Sequence, residues 1–296
     1  MTTTDTRQAD GMTPTRFATS ADGTRIAYEV HGSGPALVLV DGALCQRSTG
    51  PARALARQLA PSFSVHAYDR RGRGESGPDA SGRDRSEGGR TAYDVDREID
   101  DLAAVVEAAG GHAHVFGSSS GAALALAAAQ RGVPIDRLAL YEAPFILDDT
   151  HAPNDADLPA RMRSLVQLGR RGDAVRLFLR TVGAPAPTVA VMRLLPVWRK
   201  LTGVAHTLPY DLAIVIGHQQ GRPLREGLYD AVTAPTLVIA GGKSPEYMRN
   251  AQAAVADAVP DGRVETLPGQ THMIRAKVTA PVVAAHLLAA SGGARS

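Results

Sequence analysis

Cysteine is almost missing from this chain: Cys45 is the only one. No intrachain disulfide can form, and a reducing, cytoplasmic setting is the expected one. Long apolar runs are missing too. No stretch approaches the about 20 apolar residues a membrane helix needs, and the run Leu212 to Ile216 reads as a core or pocket segment. The stretch from Met1 to about Thr15 is polar and Thr-rich with no apolar centre, so no secretory leader is expected. Charge of one sign is scarce as well. A formal net charge of +2 gives no electrostatic basis for a nucleic-acid partner. The densest basic spot, Arg70, Arg71 and Arg73, is bracketed by Asp69 and Glu75. No spacing of His, Cys, Asp and Glu suggests a metal site, and Gly72-x-Gly74 lacks the dinucleotide-binding pattern and its following helix. The expectation is a protein with no metal, no cofactor, no membrane partner and a small-molecule substrate.

What is present is an ordinary globular composition, 44% hydrophobic and 21% charged over 296 residues, long enough for one large domain or two small ones. The pattern alternates. Phe17–Thr19 and Arg25–Val30 flank Asp22-Gly23 and predict a hairpin. Ala36–Val40 is a continuous apolar run, as a strand buried on both faces requires. A helix from about Gly50 to Leu59, a strand Ser64–Tyr68 and an amphipathic helix Asp94–Ala109 follow, with a Gly/Ser/Asp/Arg-rich surface loop at Gly77–Gly89. Strand, helix, strand, helix in succession implies a parallel sheet covered on both faces. The rhythm breaks between Phe145 and about Thr233, where helical patterns at Ala160–Gly169, Asp173–Val182, Thr188–Leu195 and Tyr210–Gln219 are separated by prolines. Strands resume at Thr236–Ala240 and Arg263–Leu267, with helices at about Pro245–Val259 and Pro281–Ala290.

The centre of the pattern is His114-Val115-Phe116-Gly117-Ser118-Ser119-Ser120-Gly121-Ala122. It reads as a buried strand, then Gly-x-Ser-x-Gly, then an Ala/Leu-rich helix. A serine hydroxyl becomes a useful nucleophile when a sharp strand-to-helix turn holds it clear of both elements. Ser119 is the central serine, and the helix dipole that starts at Ser120 faces any oxyanion formed there.

Taken in order, these features resemble the α/β-hydrolase fold of the esterase, lipase and haloperoxidase type. They are the Asp41-Gly42 loop after the third strand, Asp69-x-Arg71-Gly72-x-Gly74-x-Ser76, the elbow at Ser119, the helical insertion and a late His272. The resemblance implies a mostly parallel eight-stranded sheet with helices on both faces and an inserted helical cap. Core would be residues 16–144 and 234–290, cap 145–233, with tails at 1–15 and 291–296. It also implies that His272, in the loop after the last strand, is the base for Ser119. The Asp69–Ser76 segment would be structural, a turn holding the loops around the elbow.

The third group departs from the common pattern. The family's usual acid lies just beyond the strand Thr236–Ala240, where this chain has Gly241-Gly242-Lys243-Ser244-Pro245, so Ser244 stands where an aspartate is expected. A serine cannot balance an imidazolium. Some members carry the acid at the end of the preceding strand instead, and Glu142 occupies that place. The competing reading pairs Glu142 with an arginine at the cap hinge and leaves Glu246 as the acid. The oxyanion donors would be the amides of Ser120 and Ala43. Asp41 replaces the family's histidine before Gly42, and either raises the pKa of His272 or is tied to the loop backbone. Cys45 reads as a small buried thiol.

The expected activity is serine-dependent hydrolysis of an ester, lactone or thioester of a small apolar molecule. The expected pocket residues are Asp41, Leu44, Leu195, Trp198 and Met273, among apolar cap residues that include Met192, Leu194, Val197 and Leu212. Packing of the cap helices on one another is the alternative use of those side chains. Perhydrolysis, C–C hydrolysis, a lyase or cyclisation step, or ligand binding by a relative with a decayed triad are the rival functions on the same scaffold.

Overall fold

A computed structural model describes residues 13–77 and 94–289. Residues 1–12 of the tail expected at 1–15, the tail expected at 291–296 and most of the loop expected at Gly77–Gly89 lie outside the described residues. Eight strands form one sheet: β1 (Arg16–Thr19), β2 (Arg25–His31), β3 (Ala36–Val40), β4 (Ser64–Tyr68), β5 (Ala113–Ser118), β6 (Ile135–Tyr141), β7 (Thr236–Gly241) and β8 (Gly262–Leu267). Their order is β1-β2-β4-β3-β5-β6-β7-β8. β1 and β2 run antiparallel, and every pairing from β4 onward in that order is parallel.

The continuous apolar runs supply both faces, because successive side chains of a strand point to opposite sides. Val38, Val40, Val115, Leu138, Leu140 and Val238 face one layer. Leu37, Leu39, Phe116, Ala139, Leu237 and Ile239 face the other. The first layer is closed by α2 (Val95–Ala108), α3 (Ser120–Gln130) and α9 (Glu246–Ala258), and the second by α1 (Ala52–Leu59) and α10 (Ala276–Leu287). The Asp94 side chain caps α2 by accepting from the Asp96 N–H.

Between β6 and β7 lie α4 (Leu158–Gln167), α5 (Arg171–Thr181), α6 (Ala186–Met192), α7 (Pro196–Val204) and α8 (Leu208–Val215). They share a third cluster built from Leu158, Met162, Ala174, Val175, Val204, Leu208 and Leu212. The ends of the insertion belong elsewhere: Phe145, Leu147, Tyr229 and Val232 pack into the main core. Two boundaries that were read from prolines differ from expectation. Pro196, read as a separator, opens α7 at its first turn, where proline has no intrahelical bond to lose. Pro281, read as a start, lies inside α10, which begins at Ala276. Among the described residues no helix is long and apolar enough to cross a membrane.

Candidate active site

Three non-glycine residues among those described have positive φ: Leu44 (60°), Ser119 (55°) and Glu142 (46°). Each follows the C-terminal end of a parallel strand, β3, β5 and β6 in turn. Left-handed backbone at leucine, serine and glutamate is unfavourable and persists where the surroundings impose it. Here the surroundings are the sheet rim itself. Ser119 donates its N–H to the Tyr141 carbonyl at 2.9 Å, and Glu142 donates its own to Ile239 at 3.1 Å, so both turns are stitched to the neighbouring strand. Gly121 lets α3 press against β3: a Cβ there would lie 2.3 Å from the Val40 carbonyl oxygen.

At this rim the three expected groups meet. The Ser119 Oγ lies 3.1 Å from His272 Nε2, and His272 Nδ1 lies 2.9 Å from Glu142 Oε2. The carboxylate is fully buried, while the imidazole is 37% exposed. The second carboxylate oxygen of Glu142 accepts the Gly241 N–H at 2.6 Å. Through that bond a side chain at the end of β6 reaches across to the β7 terminus, the place where the resemblance puts the usual acid. Ser244 is buried there, with its hydroxyl unpartnered among the described residues. Glu246 opens α9 in an exposed position and makes no recorded contact with His272. The loop carrying His272 is tied down in turn, because the Tyr141 hydroxyl donates to the Thr271 carbonyl at 2.7 Å. With the Nδ1 proton given to the carboxylate, Nε2 presents its lone pair to the serine hydroxyl.

The candidate oxyanion donors sit on either side of the nucleophile. The Ser120 N–H is in the first turn of α3, where no carbonyl four residues back can take it. Gly42 approaches so closely that a Cβ on it would be 2.8 Å from the Ser119 Cβ. Among the described residues the next N–H, that of Ala43, donates to no protein acceptor.

Asp41 turns toward α1, not toward its own loop backbone. Its carboxylate is buried and points back to the start of α1, accepting from the Ala52 N–H at 3.4 Å. Burial pushes its pKa up to about 7, against the pull of the Ala52 N–H, Arg73 and Arg70. Burial also raises the Cys45 thiol to about 12, so the thiol is un-ionised at neutral pH. Leu44 is buried, and with Ala43 it joins the cap cluster. Met273 is 76% exposed, in the loop just past His272. Packing within the cap accounts for two of the apolar cap residues: Leu212 is buried in the cap cluster, and the Trp198 ring lies against Gly172 of α5. Leu194, Leu195 and Val197 are exposed, and Met192 is partly buried. The short cap helices need an interior of their own, and it takes the side chains nearest their axis of contact.

The Asp69–Ser76 segment has the structural role expected of it. Asp69 accepts from the Arg47 backbone and guanidinium and from the Glu75 N–H, while the Ser76 hydroxyl bridges the Asp69 carbonyl and the Ala27 N–H. Arg71 makes a bidentate pair with Asp101 at 2.9 and 2.7 Å. The sequence showed Arg70 and Arg73 only as part of a basic spot, and Asp211 drew no notice. Arg70 and Arg73 extend from the same segment to Asp211 on α8, all three at 2% exposure or less. One signal was available: a lone carboxylate inside Leu208-Pro-Tyr-Asp-Leu-Ala-Ile-Val cannot be buried without a cation.

Comparison with known proteins places the chain in a family. A family model described as "Alpha/beta hydrolase family" matches residues 30–285. A curated protein of Mesorhizobium japonicum named 2-(acetamidomethylene)succinate hydrolase is 30% identical over 251 residues, covering 82% of this chain and 83% of that protein. Another, N-formylmaleamate deformylase of Pseudomonas putida, is 30% identical over 266 residues, covering 86% of this chain and 88% of its own length. The crystal structure of an alpha/beta hydrolase from Sphaerobacter thermophilus superposes with a TM-score of 0.79 at 45% identity, over 90% of this chain and 98% of that one.

Proposed function

The chain belongs to the alpha/beta hydrolase family, and from that premise we propose that it is a serine hydrolase working through an acyl-enzyme. The observation that carries the proposal is the relay from Ser119 through His272 to Glu142, at 3.1 and 2.9 Å. His272 takes the Ser119 proton as Oγ attacks the substrate carbonyl, and Glu142 balances the imidazolium that results. The tetrahedral oxygen receives the Ser120 and Ala43 N–H groups. His272 then protonates the leaving group, and water, deprotonated by the same imidazole, releases the acid. An intact relay argues against a ligand-binding relative that has lost its chemistry. Such a protein has no reason to hold Ser119 and Glu142 at positive φ.

The residues alone favour an ester, lactone or thioester of a small, largely apolar molecule. The relatives' names favour a second reading. One is a hydrolase of an acetamidomethylene succinate and the other a deformylase of an N-formyl compound, so a small acyl amide is the competing bond. The two readings differ in the leaving group His272 must protonate, and share every earlier step. A fluorophosphonate probe tests what they share: labelling of the wild type that disappears in Ser119→Ala is the expected result. Labelling that survives in Ser119→Ala rejects the assignment. Parallel assays with p-nitrophenyl acetate and a small N-formyl amide then separate ester from amide preference.

A further inference from the structure

Both sides of the candidate oxyanion hole lead back to one carboxylate, and that carboxylate comes from the cap. The Ser120 hydroxyl donates to Asp211 Oδ1 at 2.7 Å. Arg73 forms a bidentate pair with Asp211, Nη2 to Oδ1 at 2.9 Å and to Oδ2 at 2.7 Å. Through Nη1 the same guanidinium donates to the Gly42 carbonyl at 2.6 Å and the Cys45 carbonyl at 3.2 Å. Arg70 Nη1 completes the set, reaching the Asp41 carbonyl, the Ser120 hydroxyl and Asp211 Oδ1 at 3.2, 3.2 and 2.8 Å. Its other nitrogens pair with Glu98 at 2.7 and 2.9 Å.

In a trans peptide the C=O and N–H of one unit point in opposite directions. A guanidinium holding the Gly42 carbonyl therefore fixes the opposite heading of the Ala43 N–H, the group that donates to no protein acceptor. The cluster is not a simple charge pair either. Its donors go to three carbonyls of the loop after β3, those of Asp41, Gly42 and Cys45, and to the residue that carries the other oxyanion donor. We propose that Arg73 is the positioning residue of the oxyanion hole, and that Asp211 makes the hole dependent on the seating of cap helix α8. This rests on the serine-hydrolase reading for its catalytic consequence, though not for its structural one.

The test uses Arg73→Ala, Arg73→Lys and Asp211→Asn in the full-length protein, with p-nitrophenyl acetate as probe and rates expressed per folded protein. Arg73→Ala is expected to lose about 100-fold in kcat, the scale of losing one oxyanion donor, with KM within about threefold. The acid limb of the pH profile should stay in place, since His272 and Glu142 are untouched, and added guanidinium chloride at low millimolar concentration should restore part of kcat. Arg73→Lys should fall between Arg73→Ala and the wild type. A purely structural role would lower thermal stability while leaving kcat per folded molecule within threefold of the wild type, and that result overturns the proposal. Hydrogen exchange reports independently of chemistry. Asp211→Asn should speed exchange in the 41–45 loop, and unchanged protection there sinks the coupling to the cap. If the wild type neither turns over nor labels, the hydrolase reading fails, and the positioning role is judged on exchange alone.

Discussion

Asp41 shows how one side chain can be legible by type and not by role. Its replacement of the family's histidine was visible in the chain, but both of its possible uses remained open until the carboxylate was seen to turn toward α1. A buried carboxyl with a pKa of about 7 has a definite thermodynamic sign. Its folded value lies above the ordinary carboxylate value of about 4, so between those limits the folded protein holds a proton that the unfolded chain has released. Stability contributed by Asp41 is therefore complete at low pH and is lost as pH rises through about 7. Asn at this position cannot titrate. The Tm of Asp41→Asn relative to the wild type should climb between about pH 4 and about pH 7, by about 3 °C or more for a protein of this size. A difference that stays flat across that range would show that Asp41 is not charged at a cost in the folded state. Leu44 teaches the same lesson from the other side: nothing about a leucine announces a φ of 60°, because that strain is imposed by the packing around it.

Among the elements, strand ends carry most of the chemistry, and they were also the best read. β3 and β4 match their expected limits, and β5, the elbow and α3 follow in the expected order, because short buried parallel strands leave apolar stretches bounded by turn residues. The acid was harder. Strand order narrows it to the rim of β6 or β7, and the proposal of Glu142 rests on a side chain that spans from one terminus to the other by accepting the Gly241 N–H. Removing its charge while keeping its shape should leave this anchor and abolish the tautomer control. Glu142→Gln is expected to lose about 100-fold or more in kcat on a short p-nitrophenyl ester, with Glu246→Gln close to wild type. A loss under threefold in Glu142→Gln would return the acid to Glu246 or to no residue at all. The arginine cluster lay beyond such reasoning. Arg73 and Asp211 are 138 positions apart, and no local periodicity links them.

For the molecule as a whole, α8 is the member shared by cap and core. Leu208 and Leu212 pack in the cap cluster, Ile214 and Val215 in the main core, and Asp211 between them anchors to Arg70 and Arg73. The outer cap helices have far less to hold them: α6 buries Val189 and α7 buries Val204, while most of α8 is buried. Local opening follows buried apolar contact, so the cap is expected to come apart from its outer side while α8 stays with the sheet. This division suits a site that must admit substrate yet keep its oxyanion donors aimed, since α6 and α7 can move without releasing Asp211. Native-state hydrogen exchange gives the check. Amides of α6 and α7 should exchange fastest among the cap helices, with α5 and α4 slower. Those of α8 should be protected nearly as well as β5 and should lose protection only at denaturant concentrations that also open the sheet. Exchange of α8 in step with α6 and α7 would mean that the cap opens as one body, and Asp211 would then leave the oxyanion loop each time the cap opened.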